Sequence, residues 1–191
     1  NDYSTIQDAI ESAADGYTIL VAPGTYSGEG NIDLNFDGKA ITVVSEAGPE
    51  QTIIDCGMEE RGFTFDSGED STSVLDGFTI TNGSRPEGGG IYCYYSSPTI
   101  KNCIITNCWG NNGGGMHLYE ASPSLSNVSI SGNTAENMGG GIYVENSGWT
   151  SMASPRLENL IITGNSANSG GGISCWIYSS PGLENVMISG N

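Results

Sequence analysis

The sequence predicts an all-β fold, a right-handed single-stranded parallel β-helix (solenoid) with an N-terminal capping α-helix. Three observations predict it: a repeat of about 25 residues, short runs in which apolar and polar residues alternate, and glycine or asparagine at the ends of those runs. Each repeat has room for three short strands and three corners. Stacking such units, here called rungs, pairs equivalent strands about 4.8 Å apart around one continuous core.

The repeat is clearest in the second half of the chain. Glycine triplets begin at Gly88, Gly113, Gly139 and Gly170, and an apolar residue follows each of them. A Ser-Pro step, and then an asparagine followed by alternating apolar residues, completes each unit. Weaker copies carry the pattern back to about residue 61. Because glycine tolerates positive φ and close backbone approach, the triplets predict tight corners.

We expect residues 1–191 to form a single β-helix domain. Within it we expect a capping helix at 1–16, irregular early rungs at 17–87, and regular Gly-Gly-Gly repeats at 88–191 with an incomplete last rung. An amphipathic helix at the start would cover the end of the core and an unpaired sheet edge. The incomplete last rung predicts either a truncated chain or an end that stacks on another molecule.

Local signals define the start of the fold. Ser4 and Gln7 have the spacing of a capping box, and Gly16 is expected to end the helix. The segment 17–22 then reads as the first strand, and 23–26 as a turn.

Asparagines recur at two corners of the repeat. The first set, which is Asn102, Asn127, Asn159 and Asn185, predicts a ladder of side-chain amides hydrogen-bonded from rung to rung. The second set marks the following corner and is Asn133, Asn165 and Asn191, with Cys108 in the equivalent slot of its own rung. Many of the polar residues thus fall at corners, so their abundance is not a sign of disorder.

The charge of the chain excludes polyanionic partners. Its formal net charge is -17, which disfavours nucleic acid and anionic membranes. No segment approaches the roughly 20 apolar residues of a membrane span, so no membrane insertion is expected. Residues 1–87 carry a net charge of -14 and residues 88–191 only -3, which predicts cation contacts in the first half and uncharged sugar or protein contacts in the second. Low lysine content and abundant Gly, Ser and Asn favour a secreted or cell-surface protein.

The five cysteines are expected to be free and mostly buried thiols. Cys93 and Cys175 share an inward slot but lie several rungs apart, beyond the reach of a disulfide. No other pair falls in neighbouring rungs, and no metal-binding spacing such as Cys-x-x-Cys occurs.

Aromatic residues form the most distinctive predicted surface. The strand after each glycine triplet has two outward slots, and stacking them predicts a ribbon on a flat, solvent-facing sheet. The predicted binding residues are Tyr92, Tyr94, His117, Tyr119, Tyr143, Glu145, Trp149 and Trp176. Such a ribbon would bind sugars or a protein partner by stacking, although cross-strand aromatic pairs also stabilise sheets without any ligand. The neighbourhood of Tyr143, Trp149 and Trp176 is the first choice for a site.

An acidic loop is the candidate metal site. Asp66, Glu69 and Asp70 place three carboxylates around a glycine and could bind Ca²⁺, although the loop lacks an EF-hand pattern. The alternative is an exposed acidic turn, and no other cofactor is expected.

The segments 4–10 and 21–26 resemble the N-terminal cap of the pectate-lyase-like β-helix superfamily. The Gly-Gly-Gly-Ile and Ile-Ser-Gly-Asn units are similar to repeats of exported bacterial right-handed β-helix proteins and of polymorphic outer-membrane proteins. The resemblance implies the fold over nearly the whole chain. It does not decide the activity, because the superfamily contains lyases, hydrolases, epimerases, esterases and non-catalytic adhesins.

The leading functional prediction is an extracellular, non-catalytic scaffold that binds polysaccharide or a surface protein. One alternative is a polysaccharide lyase or hydrolase, for which Arg61 and Arg85 could flank one face near Asp55, Asp66 and Asp76. A third possibility is a structural module that self-associates end to end through its last rung.

Overall fold

The computed structural model describes residues 3–148 and 153–191, and they form the parallel β-solenoid that the repeat predicts. Three long sheets run along the solenoid, and each rung contributes one strand to each of them. Every strand pairing in these sheets is parallel. The predicted all-β fold class is therefore confirmed.

The described strands are numbered β1 to β22 in chain order. Sheet 1 contains β1 (Thr18–Val21), β4 (Thr42–Ser45), β7 (Val74–Asp76), β10 (Thr99–Lys101), β14 (Ser124–Ser126), β18 (Arg156–Glu158) and β21 (Gly182–Glu184). Sheet 2 contains β2 (Gly24–Tyr26), β5 (Thr52–Asp55), β8 (Thr79–Thr81), β11 (Ile104–Thr106), β15 (Ser129–Ser131), β19 (Ile161–Thr163) and β22 (Met187–Ser189). Sheet 3 contains β3 (Leu34–Asn35), β6 (Phe63–Phe65), β9 (Ile91–Tyr94), β13 (Met116–Tyr119), β17 (Ile142–Glu145) and β20 (Ile173–Trp176). A two-stranded sheet joins β12 (Trp109–Asn112) to β16 (Thr134–Met138).

The register stacks equivalent residues of successive rungs. Leu75, Ile100 and Leu125, for example, are direct partners across β7, β10 and β14, and all three are fully buried. Successive side chains of a strand point to opposite faces of the sheet, so the apolar ones form columns inside the solenoid, as the sequence pattern predicts. A cluster of buried phenylalanines fills the early rungs, namely Phe36, Phe63, Phe65 and Phe78.

The glycine triplets lie where backbones of neighbouring rungs nearly touch. A Cβ added at Gly89 would lie 2.2 Å from the carbonyl oxygen of Trp109, closer than any side chain tolerates. Gly88 has a φ of +64°, in the left-handed region that favours glycine. Both observations explain why no larger residue occurs at this corner.

Helix α1 (Ile6–Ser12) covers the N-terminal end of the core, but its boundaries differ from those expected. Thr5, not Ser4, is the N-cap, and its Oγ1 accepts a hydrogen bond from the Asp8 amide at 3.1 Å. The predicted range of 1–16 was too long, because the helix ends at Ser12 with Ala13 as its C-cap in extended conformation. Gly16 has positive φ outside the helix.

The expected turn at 23–26 is also wrong, because Gly24–Tyr26 forms β2 and pairs with β5. The chain turns immediately before it, and Tyr26 closes that turn by donating its hydroxyl to the carbonyl of Ala22 at 2.8 Å.

The exposed asparagines bond to one another only in two separate pairs, and a continuous buried ladder forms at the second corner, where the sequence predicted only a corner. In the buried ladder, Asn133 Nδ2 donates to Asn165 Oδ1 at 3.0 Å, and Asn165 Nδ2 donates to Asn191 Oδ1 at 2.9 Å. The amide of Cys108 donates to Asn133 Oδ1, which confirms that Cys108 occupies the same slot. In the exposed ladder, Asn127 donates to Asn102 and Asn185 donates to Asn159, each at 3.2 Å. The four members of the exposed ladder all have positive φ.

The thiols match their predicted state. All five are free, and only Cys175 is exposed. Burial raises the pKa of Cys103 to about 11 and that of Cys108 to about 12, so these thiols act as small apolar side chains.

The last described rung presents its inward side chains to the surface. Leu183 and Ile188, which continue buried columns of sheets 1 and 2, are 53 % and 45 % exposed.

Candidate functional site

The outward side of sheet 3 carries two aligned columns of side chains, as the sequence predicts. The first column pairs Thr64, Tyr92, His117, Tyr143 and Ser174 across successive rungs. The second pairs Tyr94, Tyr119, Glu145 and Trp176. The strands hold these groups at fixed spacing because each outward residue has a direct partner in the next rung.

His117 lies at the centre of a buried charged cluster in the first column. Its side chain is only 2 % exposed, and Tyr143 beside it is 4 % exposed. The rings of Tyr92 and Tyr143 flank the imidazole, with centroids 5.3 and 4.9 Å away. The expectation that the whole ribbon faces solvent is therefore wrong, because neighbouring rings and carboxylates cover this column.

Two glutamates contact the imidazole from opposite edges. His117 Nε2 lies 3.1 Å from Glu145 Oε2, and Nδ1 lies 2.7 Å from Glu87 Oε2. The Glu145 contact is a hydrogen bond, whereas the Glu87 contact is a close ion pair without hydrogen-bond alignment. Glu87 reaches the ring from the corner just before β9, and Glu145 is the last residue of β17. The cluster therefore ties a corner to two adjacent strands.

The cluster shifts the ionisation of its members. Burial acts to lower the pKa of His117, but the Glu145 hydrogen bond and the Glu87 contact outweigh it and raise that pKa above its ordinary value. His117 in turn lowers the pKa of Glu87, against the opposing effect of burial. Burial, with the charges of Glu145 and Glu87, raises the pKa of Tyr143 to about 12. The cluster thus favours a cationic imidazole between two carboxylates, with neutral tyrosines around it.

Three tyrosines form an exposed platform next to this cluster. The rings of Tyr94 and Tyr119 stack with centroids 5.2 Å apart and an interplanar angle of 24°. Tyr95 meets both edge-on, at 4.6 Å from Tyr94 and 5.7 Å from Tyr119. Tyr94 is 39 % exposed, Tyr95 is 55 % exposed and Tyr119 is half-buried, so solvent reaches all three side chains. We call Tyr94, Tyr95 and Tyr119 the tyrosine platform.

Trp176, another predicted binding residue, lies apart from the platform. Trp176 is exposed in the last described rung, and Glu145 separates it from Tyr119 in the column. Trp149 lies outside the described residues. Tyr143 is buried and Trp176 is exposed, so the site expected around Tyr143, Trp149 and Trp176 stays a prediction.

Arg61, Glu87 and Tyr95 belong to this face although the sequence pattern did not assign them to it. The Arg61 guanidinium carbon lies 4.9 Å from the centroid of the Tyr92 ring, a cation–π contact. Burial lowers the pKa of Arg61. Glu87 pairs with Asn112 in the next rung. Aligning the residues that precede each glycine triplet would therefore have placed Glu87 beside the strand that follows the triplet. Tyr95 has positive φ and belongs to the corner after β9.

The arrangement proposed for a lyase does not form. Asp76 lies on sheet 1, where it pairs with Lys101 at 3.3 Å, and Asp55 ends a strand of sheet 2. Arg85 forms a bidentate ion pair with Glu60. Since the three aspartates fall on different sheets, they do not surround the two arginines as one site.

The acidic loop is organised by its buried glutamate. Glu69 Oε1 accepts a hydrogen bond from the Gly38 amide at 2.9 Å, and Oε2 accepts one from the Ser67 amide at 3.0 Å. Asp70 instead accepts from Thr72, which lowers the Asp70 pKa. Among residues 3–148 and 153–191, no group of three or more His, Cys, Asp or Glu side chains is arranged to hold a metal ion. Calcium binding at this loop stays a prediction.

A cavity of about 610 Å³ lies at the other end of the molecule, between α1 and β1. Its lining includes Tyr3, Tyr17 and Leu20, all of which are exposed. Within the described residues, no helix has the length and apolar character needed to cross a membrane.

Comparison with known proteins supports the fold. A family model described as "Right handed beta helix region" matches residues 25–191, which is most of the chain. No curated protein matches the sequence. The family match supplies the handedness that the sequence predicts, and it begins after the capping helix, at β2. The chain therefore belongs to the right-handed β-helix family.

Proposed function

We propose that this protein is a rigid, non-catalytic scaffold, secreted or at the cell surface, that binds polysaccharide through the tyrosine platform of sheet 3. The observation that carries the proposal is the stacking of exposed Tyr94 on half-buried Tyr119, with exposed Tyr95 set edge-on against both. Sugar rings pack their apolar faces on such aromatic surfaces.

The platform has a rigid support. Tyr94 and Tyr119 are direct partners across β9 and β13, and the Tyr119 hydroxyl donates to Ser147 Oγ at 2.8 Å. Directly beside it, the His117 cluster ties β13 and β17 to the preceding corner. A preorganised surface loses little conformational entropy on binding, which favours affinity.

The ionisation of the neighbouring groups argues against acid–base catalysis. A carboxyl group that acts as a general acid needs a raised pKa, but the pKa of Glu87 is lowered. The pKa values of Tyr92 and Tyr143 are raised, so neither tyrosine is activated as a base. His117, the single histidine, is almost completely buried and cannot contact a bound substrate.

The test is direct binding to soluble polysaccharides by calorimetry and affinity electrophoresis. We expect Tyr94→Ala and Tyr119→Ala to weaken binding at least tenfold, about 1.4 kcal/mol, as for truncated aromatic hot spots. Tyr17→Ala is the matched control, since Tyr17 is 61 % exposed but lies at the N-terminal cavity. Loss of binding in Tyr17→Ala alone would move the site to that cavity, and release of unsaturated uronate or reducing ends would show an enzyme instead.

A further inference from the structure

We propose that the polysaccharide bound by this protein carries protonated amines, as a polymer of glucosamine units does, rather than being neutral or acidic. The inference rests on the proposed function of the tyrosine platform and names its ligand class. It is carried by the charges that the fold gathers around the platform.

Four carboxylates border the platform and the adjoining column of sheet 3. Asp66 directly follows Phe65, the partner of Cys93, and so continues the column of Tyr94. Glu145 is the direct partner of Tyr119 on the other side. Glu120 directly follows Tyr119, and its charge contributes to raising the pKa of Tyr95.

The fourth carboxylate is Glu87, which contacts His117. Its charge is the second cause, after burial, of the raised pKa of Tyr92. Negative charge therefore lies on both sides of the platform along the solenoid. It also lies beside the neighbouring column, which contains His117 and supports the platform.

Few cations oppose these carboxylates. Arg61 packs over Tyr92 and is largely withdrawn from solvent, and His117 is buried between its two glutamates. The other four basic side chains are engaged elsewhere. Arg85 pairs with Glu60, Lys101 with Asp76, Arg156 with Glu158 and Glu184, and Lys39 with the end of α1. The face is acidic in a protein whose net charge is already -17.

Charge complementarity then selects the ligand. A uronate or sulfated polymer would bring like charges to Asp66 and Glu120 and is disfavoured. A neutral polymer would use the tyrosine rings alone. An amine-bearing sugar would stack on the same rings, gain attraction from the carboxylates and place ammonium groups near the ring faces.

The test compares hexamers of glucosamine, N-acetylglucosamine and galacturonate at pH 5.5 and low salt, by calorimetry. We expect the glucosamine hexamer to bind at least tenfold more tightly than its N-acetylated form, and the galacturonate hexamer not to bind. The preference should shrink at high salt, because exposed charges are screened. Asp66→Asn with Glu120→Gln should remove most of the preference, whereas Glu11→Gln with Glu50→Gln, a matched loss of two exposed carboxylates elsewhere, should leave it intact.

The outcomes separate the two proposals. Equal binding of both hexamers, lost in Tyr94→Ala, would overturn the amine inference and leave the tyrosine platform as a sugar site. No binding of any hexamer would overturn both. A lysine-rich peptide that binds as tightly as the glucosamine hexamer, and is indifferent to Tyr94→Ala, would also overturn the inference, since charge alone would then explain the attraction.

Discussion

Replacement of His117 by phenylalanine tests the buried cluster under the aromatic face. The Phe ring fills nearly the same space, so the change removes the two carboxylate contacts at 3.1 and 2.7 Å without opening a large cavity. Hydrogen bonds to charged groups contribute about 1.5–3 kcal/mol each. We take the lower figure for the Glu145 hydrogen bond and about 1 kcal/mol for the partly solvated Glu87 ion pair, and expect a loss of about 2.5 kcal/mol. For a chain of this size that corresponds to a fall in Tm of roughly 5–10 °C.

The loss should depend on pH in a defined direction. The folded-state pKa of His117 is raised above its ordinary value of 6.5, so its contribution is complete below pH 6.5 and disappears as pH rises through the folded pKa. The pKa of Glu87 is lowered below 4.5, so its contribution is present above pH 4.5 and disappears as pH falls through the lowered pKa. The difference between wild type and His117→Phe should therefore be largest between about pH 4.5 and 6.5 and smaller at pH 9.

The assay is urea unfolding followed by far-UV circular dichroism at pH 5.5, 7.5 and 9. Ser174→Ala is the control, because Ser174 occupies the same column two rungs away and has no charged contact to lose. A difference between wild type and His117→Phe that is equal at all three pH values would refute the ionic interpretation. A variant as stable as wild type at pH 5.5 would refute the magnitude.

Three further predictions concern the rungs and the thiols. Asn165→Ala should lower the free energy of unfolding in urea by about 2–4 kcal/mol, because it breaks the buried ladder and leaves polar groups without partners. Asn185→Gly, in the exposed ladder, should lower it by under about 1 kcal/mol. Equal losses in the two variants would contradict the ladder argument. Gly89→Ala should strongly lower the midpoint of urea unfolding, because the added Cβ would lie 2.2 and 2.5 Å from two carbonyl oxygens. Gly182→Ala is the control: its Cβ would have nothing within 4 Å, so the free energy of unfolding should change by about 0.5 kcal/mol or less. A thiol reagent should react with one cysteine in the native protein and with five after denaturation, and Cys175→Ser should remove the native reaction. A second cysteine that reacts rapidly in the native protein would show that a rung opens and exposes a buried thiol.

The repeat made most of the fold predictable. Inward columns such as Leu75, Ile100 and Leu125 follow from alternation, because a strand has a period of two residues and each rung repeats it. The corner position of Asn133, Asn165 and Asn191 followed from their spacing, but their bonding as a buried ladder did not. The cap was less predictable: Ser4 and Thr5 are both good N-caps, and only the helix boundary distinguishes them.

The candidate site was predicted in part. Its columns were correct, but alternation reports only that a residue points away from the core, not whether neighbouring side chains cover it. His117 and Tyr143 point outward and are nevertheless buried, because a corner carboxylate and adjacent rings pack over them. Glu87 and Tyr95 come from corners, where the period of two does not apply.

The sequence by itself determined the solenoid, its register and the column in which each strand residue lies, because these depend on a short period repeated rung after rung. Only the tertiary structure decided which outward residues remain exposed and which charges meet, because those depend on how corners fold back over a sheet. The tyrosine platform and the buried Glu87–His117–Glu145 cluster share one face of the solenoid. Contacts between residues of different rungs, such as Tyr95 with Tyr119 and Glu87 with His117, made one of them a surface and the other its support.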